Sequence, residues 1–442
     1  MARHRIPFAI AAAGLAVFGL AVVGLAGSAA ADDDRPARPT LIGRAILPTE
    51  AAPPGTNVNC PTSPPASVTP VPQPQPRGGY SALIEGPRRS QWALPDNGYG
   101  AKNNSCDFIL RVDRVRVEHL RSGSSTEPGK VEVLESFQLR DPDRRIPFPI
   151  YRQASPERLL TGWDFDPESV RIDREGTFWF GDEFGPYLLH TDRTGKVLEA
   201  PIPTPGVRAP ENMLSPAGQP VNLPGSSGFE SMAISTDGRF LYPALERALT
   251  TEPDKTRRLV FQFDLRRKVY TGKTFVYPAD PAIPTTPPGQ DQHVIADLTA
   301  IGDDRYVVIE RDFRQGAAAL FEKIFVVELD DSDRSGLLSK REVVDLLDIA
   351  DPRRISLVGA RPGDIGLGER FTFPYVTTEA VLPLRNNVLA IVNDNNFGSV
   401  GGRNPSLPDY TDFIEVRVPD LNDDWPGLTH PADDHQSLRR GA

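Results

Sequence analysis

Apolar and polar residues alternate along most of this chain in short runs broken by polar turns, and no sustained helical period replaces them. The runs come in pairs. SVRIDREGTFWF turns at Arg174-Glu175-Gly176, SMAISTDGRFLY at Asp237-Gly238 and AVLPLRNNVLAIV at Asn386-Asn387, so each pair reads as a β-hairpin. A further alternating strand follows each hairpin, as in YLLHTDRTGKVLEAPI, RLVFQFDLRRKVYTGKTFVY and KIFVVELDDSDRSGLLSKREVVDLL, and most of these run through a polar turn into another apolar stretch. Two hairpins make a four-stranded meander, and such units recur every 60 to 90 residues or so. The expected fold is all-β: a β-propeller of five or six four-stranded blades, with insertions between strands and a Pro-rich N-terminal arm. Five units are visible, and residues 200–228 or 345–376 have room for a sixth.

Acidic residues flank the hairpins about fifteen residues apart: Glu168 and Glu183, Glu230 and Glu246, Asp297 and Glu310, Glu379 and Asp394. A fainter unit has Ser81 at the first position and Asp96 at the second. A hairpin brings the start of its first strand beside the end of its second, so each unit places both acids at one end. Hairpins packed around a common axis turn that end into a ring of carboxylates. Like charges gathered this way are costly without a cation, which makes calcium the expected cofactor. The predicted metal ligands are Glu168, Glu230, Glu246, Asp297, Glu310, Glu379 and Asp394. Glu183, Glu230, Arg311 and His190 are the candidate catalytic groups. Arg311 follows Glu310 directly, as Arg247 follows Glu246, where a guanidinium suits phosphate recognition. His190 lies just past Glu183 on the strand leaving the rim.

A second metal candidate has oxygen ligands at loop positions 1, 3, 5 and 12, namely Asp331, Asp333, Ser335 and Glu342, with Gly336 at position 6. A strand enters this loop where an EF-hand has a helix, so an acidic hairpin turn is the equal alternative. The segment DLNDDWPG near residue 420 has Trp425 where glycine is needed and reads as loop.

The first 31 residues have a basic start, a long apolar run and an Ala29-Ala30-Ala31 exit, the pattern of a secretory signal cleaved after Ala31; an uncleaved anchor is the rival. Residues 32–78 form the Pro-rich linker or arm, 79–419 the propeller domain and 420–442 a polar tail. Within the arm, residues 40–48 (TLIGRAILP) stand out from the Pro-rich composition and read as a strand that can join the last blade, where DFIEVRVP lacks a partner, and close the ring. Cys60 and Cys106 are the chain's two cysteines, and in an exported protein so sparse a pair is expected to form a disulfide. The net charge of −10 argues against nucleic acid or an anionic membrane as partner. A secreted monomer is the expectation. GxSxG, HExxH and P-loop signatures are missing.

DPESVRIDREGTFWFGDEFGPYLLHTDRTGKVL, GFESMAISTDGRFLYPALER and DRYVVIERD together resemble the phytase-like domain family, labelled as esterase-like activity of phytase, over roughly residues 78–418. The resemblance implies a β-propeller and, through kinship with calcium-dependent propeller phytases, phosphoester hydrolysis assisted by calcium, with a small-molecule ester as the expected partner. By motif it points to Glu168, Asp182, Glu183, Glu230, Glu246, Glu310 and Arg311, and Asp182 joins the predicted metal ligands on that ground. Three readings stay open: a calcium-dependent hydrolase of phosphate or carboxylic esters, a non-catalytic propeller binding glycan or protein, and a lactonase-like propeller with Asn393, Asn395 and Asn396 as ligands.

Overall fold

The computed structural model describes residues 38–50, 54–56, 59–67, 70–214, 218–283, 292–302, 304–332, 336–419 and 421, and not the side chains of 330–332. The expected signal segment with its expected cleavage after Ala31, the expected tail beyond Leu421 and the side chains of Asp331, Asp333 and Ser335 lie outside these residues.

Among the described residues the strands form five four-stranded antiparallel blades. Blade 1 runs Ala82–Glu85, Gln91–Leu94, Arg111–Glu118 and Gly129–Gln138, and blade 2 runs Pro167–Ile172, Phe178–Asp182, Tyr187–Thr191 and Ile202–Pro203. Blade 3 runs Ser231–Ile234, Phe240–Ala244, Arg257–Asp264 and Val269–Pro278. Blade 4 runs Val294–Gly302, Arg305–Arg311, Glu322–Ser332 and Leu338–Asp345. Blade 5 runs Thr378–Leu384, Val388–Asn393 and Thr411–Arg417, and its fourth strand is Thr40–Leu47 from the other end of the chain. The first strands touch in the cycle 1-2-3-4-5-1, which closes the propeller.

No sixth blade forms among the described residues. Residues 345–376 hold only a two-residue strand pair, Ile349–Ala350 with Arg370–Phe371, and residues 200–228 add only Ile202–Pro203, the short outer strand of blade 2. The N-terminal strand pairs with Thr411–Arg417 from Thr40↔Arg417 to Leu47↔Thr411. Inside that closure Arg44 is buried against Asp412, 3.1 Å from each carboxylate oxygen. The bond ties the first strand of the chain to the last.

Apolar faces of neighbouring blades form the core: Phe178, Phe180 and Leu189 of blade 2 pack with Leu94, Leu110 and Val112 of blade 1, and Val307, Ile309 and Ile324 of blade 4 with Val381, Leu389 and Ile391 of blade 5. Cys60 and Cys106 are disulfide-bonded, joining the arm to the segment that enters blade 1's third strand. No helix among the described residues is long and apolar enough to cross a membrane.

Candidate metal centre at the channel mouth

The register within each hairpin defines two equivalent positions at one end of the propeller. The pairs Ala82↔Leu94, Ser169↔Gly181, Ser231↔Ala244, Asp297↔Ile309 and Ala380↔Val392 correspond from blade to blade. One residue before the first member stand Ser81, Glu168, Glu230, Ala296 and Glu379. Two residues after the second stand Asp96, Glu183, Glu246, Arg311 and Asp394. In blades 2, 4 and 5 the first position is a β-bulge residue, between Pro167 and Ser169, Ile295 and Asp297, and Thr378 and Ala380. A bulge re-aims a side chain out of the regular alternation, and here it turns Glu168 and Glu379 toward the axis.

Seven carboxylates and one guanidinium result, all buried. Asp166, two residues before Glu168, joins them. Ligand oxygens of Asp96, Asp166 and Glu168 lie within 4.8 Å of one another, as do those of Glu168, Glu183 and Glu230. Glu168 belongs to both groups. Oε1 of Glu183 is buried without a hydrogen-bond partner.

Protein donors satisfy only part of this charge. Ser81 donates to Glu379 at 3.1 Å, the Gly98 amide to Asp96 at 2.7 Å and the Asn97 amide to Asp166 at 3.3 Å. Arg311 reaches Glu230 at 3.3 Å and Glu379 at 3.4 Å. Burial, then the repulsion of neighbouring carboxylates, pushes Asp96, Glu168, Glu183 and Glu230 well above the usual carboxylate range. Burial also lifts Asp166 and Asp394 to about 6, and burial with the Asp394 charge lifts Glu379 to about 8. Burial opposes the charge of Arg311, but Glu230 and Glu379 more than offset this and raise its pKa.

Four residues expected at the ring are elsewhere, three of them by one register step. Asp182 precedes the second position of blade 2, and its oxygens accept the Asp166 and Gly185 amides, each at 2.8 Å, so it shapes the loop that carries Asp166. Glu310 precedes the second position of blade 4 and faces blade 3, taking Tyr277 Oη and the Asp280 amide at 2.6 Å and Lys340 Nζ at 2.7 Å. Burial raises its pKa, but His293, Lys340 and Tyr277 together bring it below the ordinary value. Asp297 follows the first position of blade 4. It binds Arg171 of blade 2 at 3.0 Å and the Val381 amide of blade 5 at 2.9 Å, a plug across the channel. The fourth, His190, stacks on Trp179 at 3.9 Å between centroids and bonds Glu199 at 2.7 Å and Thr177 at 2.8 Å, toward the turn end of blade 2's first hairpin.

Ala296 and Arg311 therefore represent blade 4 in the ring, where two acids were expected. Arg247 stays beside its neighbour, 3.1 Å from Glu246. The Asn393 amide bonds the Asp394 and Tyr410 carbonyls at 3.0 Å, and that of Asn395 bonds Thr49 Oγ1 at 3.1 Å, so both brace the loop after blade 5's second strand. Glu342 sits on the outer strand of blade 4, paired with Lys323 at 2.6 Å, so strands flank the segment containing Asp331, Asp333 and Ser335 on both sides.

Asp166 was not foreseen, although the alternation Asp164, Asp166, Glu168 marks it. The offset in blade 4 also left a signal. Aligning the apolar residue two places after each first position (Val170, Met232, Val381, Leu298) puts Ala296, not Asp297, in the series.

A family model described as "Phytase-like: Esterase-like activity of phytase" matches residues 75–397. An "Uncharacterized secreted protein" of Arthroderma benhamiae is 24% identical over 293 residues, which cover 52% of this chain and 56% of that protein. The match thus spans little more than half the length of this relative. Among solved structures, an endo-arabinase from Bacteroides thetaiotaomicron VPI-5482 is 11% identical, with 79% of this chain and 96% of that one covered at a TM-score of 0.37. A periplasmic gluconolactonase of Pseudomonas aeruginosa is 15% identical, with 86% and 100% covered at a TM-score of 0.30. Likenesses this distant assign no function to the chain.

Proposed function

The chain belongs to the phytase-like family, and from that membership we propose that it is an exported, divalent-cation-dependent hydrolase of phosphate or carboxylic esters working at the carboxylate ring. The observation that carries this reading is Glu168, shared by two buried three-carboxylate groups, with an unpartnered Glu183 oxygen beside it. Buried carboxylates without donors are costly unless they are protonated or neutralised by a cation. The donors are all hard oxygens, without His or Cys among them, which suits calcium. Asp96, Asp166, Glu168, Glu183 and Glu230 would hold the ion. When bound, it polarises an ester oxygen and makes water a better nucleophile.

The chain's own groups supply the remaining work. Arg311 is the one guanidinium among the ring positions and can hold an anionic substrate oxygen in a water-poor setting, where such bonds are strong. Glu379, lifted to about 8 in the cation-free ring and outside both three-carboxylate groups, is the carboxyl we assign as proton donor to a leaving alkoxide. Ser81, donating at 3.1 Å, orients the Glu379 carboxyl. Export agrees with the disulfide and with the name of the A. benhamiae relative.

The test is a panel assay of purified protein with aryl phosphate, phytate, aryl acetate and a lactone, each with calcium and with chelator. Calcium-dependent turnover of at least one ester, lost in Glu168→Gln, is expected. Turnover indifferent to chelator, or none on any substrate, would overturn the reading.

A further inference from the structure

At the other end of the blades, a cleft of about 490 Å³ opens between blades 3 and 4. Its position follows from topology. Asp237 lies in the turn joining the first two strands of blade 3 and Asp304 in the matching turn of blade 4, whereas the ring residues stand at the opposite ends of those same strands.

Two tyrosines, Tyr242 and Tyr306, line it and meet edge to face at 5.5 Å between centroids. Gln262 donates to the Tyr242 hydroxyl at 3.3 Å, and its own oxygen is fixed by Thr271 at 2.9 Å. The amide and phenol are therefore pre-oriented before any ligand arrives. Phe240, only partly buried, adds an aromatic ring with the Arg239 guanidinium over it at 4.9 Å, and Lys273 sits over Phe275 at 4.4 Å on the blade 3 side.

We propose that this cleft is a second binding site, and that it takes a neutral, hydroxyl-rich ligand: one or two pyranose units of a glycan. The lining disfavours the other ligand classes. Asp237 and Asp304 repel a phosphate or carboxylate, and Lys273 opposes an organic cation. A hydrocarbon would desolvate the tyrosine hydroxyls and the Gln262 amide without replacing their hydrogen bonds. Sugar hydroxyls both donate to the aspartates and accept from the amide and the ammonium, and the apolar face of a pyranose packs on an aromatic ring. The inference does not depend on catalysis at the ring.

The experiment is calorimetric titration of the full protein with maltose, cellobiose, mannobiose and N,N′-diacetylchitobiose, and with inorganic phosphate as the anionic probe. At least one disaccharide is expected to bind with a dissociation constant of about 1 mM or tighter, in the range of weak specific complexes. Gln262→Ala and Asp304→Ala should each weaken binding about tenfold or more. Tyr242→Phe, which removes only a hydroxyl from the core ring, should weaken it less. Glu230→Gln at the ring should leave it unchanged. Binding of none of the four sugars would overturn the proposal. So would sugar binding that survives both cleft variants, or that is lost in Glu230→Gln, and so would phosphate binding abolished by Lys273→Ala.

Discussion

The Arg311 guanidinium lies 3.3 Å from a carboxylate oxygen of Glu230, so the blade with Ala296 at its first ring position supplies the cation that faces its neighbour's acid. The ring is thus already partly neutralised by the protein. A bound cation and Arg311 compete for the same negative charge, and this competition has opposite consequences for binding and for turnover.

Arg311→Gln removes the competitor. Calcium affinity should rise, by about tenfold for the roughly 1.4 kcal/mol that one partly screened charge contributes. Turnover of an anionic ester should fall about 100-fold, the usual scale for losing a positioned charged donor. Calorimetry and steady-state kinetics on the same preparation read both. If affinity and turnover fall together, Arg311 is only a brace for the ring.

The ring also sets how stability depends on pH. Folded-state values raised above the unfolded carboxylate range mean that the native state holds more protons than the unfolded one between roughly pH 4 and 8. Stability then falls as pH rises through about 6, where Asp166 and Asp394 ionise, and on through about 8, where Glu379 does. Calcium-free protein should therefore melt lower at pH 8.5 than at pH 5.5, and calcium should remove most of the difference because it binds the ionised ring. Thermal melts at both pH values with chelator and with calcium provide the check. A calcium-free melting point that rises over this interval would contradict the assignment.

Below the ring, Arg171 reaches across the channel to Asp297 and also contacts the Leu298 carbonyl at 2.8 Å and Thr299 at 2.7 Å. Asp297→Asn leaves a buried guanidinium uncompensated and should cost about 3–5 kcal/mol of stability. Denaturant melts measure this. Calcium affinity of the folded fraction should stay within about twofold, because Asp297 is outside both carboxylate groups. A large loss of affinity at unchanged stability would return Asp297 to the list of ligands.

Much of this was legible in the sequence. The paired alternating runs gave the blades through side-chain periodicity, and the apolar segment at residues 40–48 announced the closure because the last blade lacked a fourth strand. The regular spacing of acids gave the ring as a place. Which acid of an adjacent pair enters the ring was harder, since Asp182 and Glu183, or Glu310 and Arg311, differ by one step and a strand sends neighbours to opposite faces. Spacing counted in whole residues also passes over the bulge that removes Asp297 and substitutes Ala296. His190 looked close to the rim because sequence distance from Glu183 is short, yet the intervening turn and a reversed strand carry it away from the ring. Asp166 left a trace in the alternation Asp164, Asp166, Glu168, but it falls outside the fifteen-residue pairing of acids, and its place at the ring depends on a loop shaped by Asp182.

The register can be tested with two glutamates that the spacing alone treats as equivalent. Glu168 contributes to both carboxylate groups, so Glu168→Gln removes a charge common to any ion held there, while Glu183→Gln or Asp96→Asn each touches one group. The calcium dissociation constant should rise most in Glu168→Gln, by roughly 100-fold, two tenfold steps of about 1.4 kcal/mol each. Glu310→Gln is the contrast. Its carboxylate is committed to Tyr277, Asp280 and Lys340, so its loss should lower the melting temperature while leaving calcium affinity within about twofold, as expected for a site that shares no partner with the ring. Calorimetric titration of the variants, alongside thermal melts, separates the two effects. Should Glu310→Gln weaken calcium as strongly as Glu168→Gln, blade 4 would contribute a ligand after all, and the one-residue offset between Glu310 and Arg311 would be wrong.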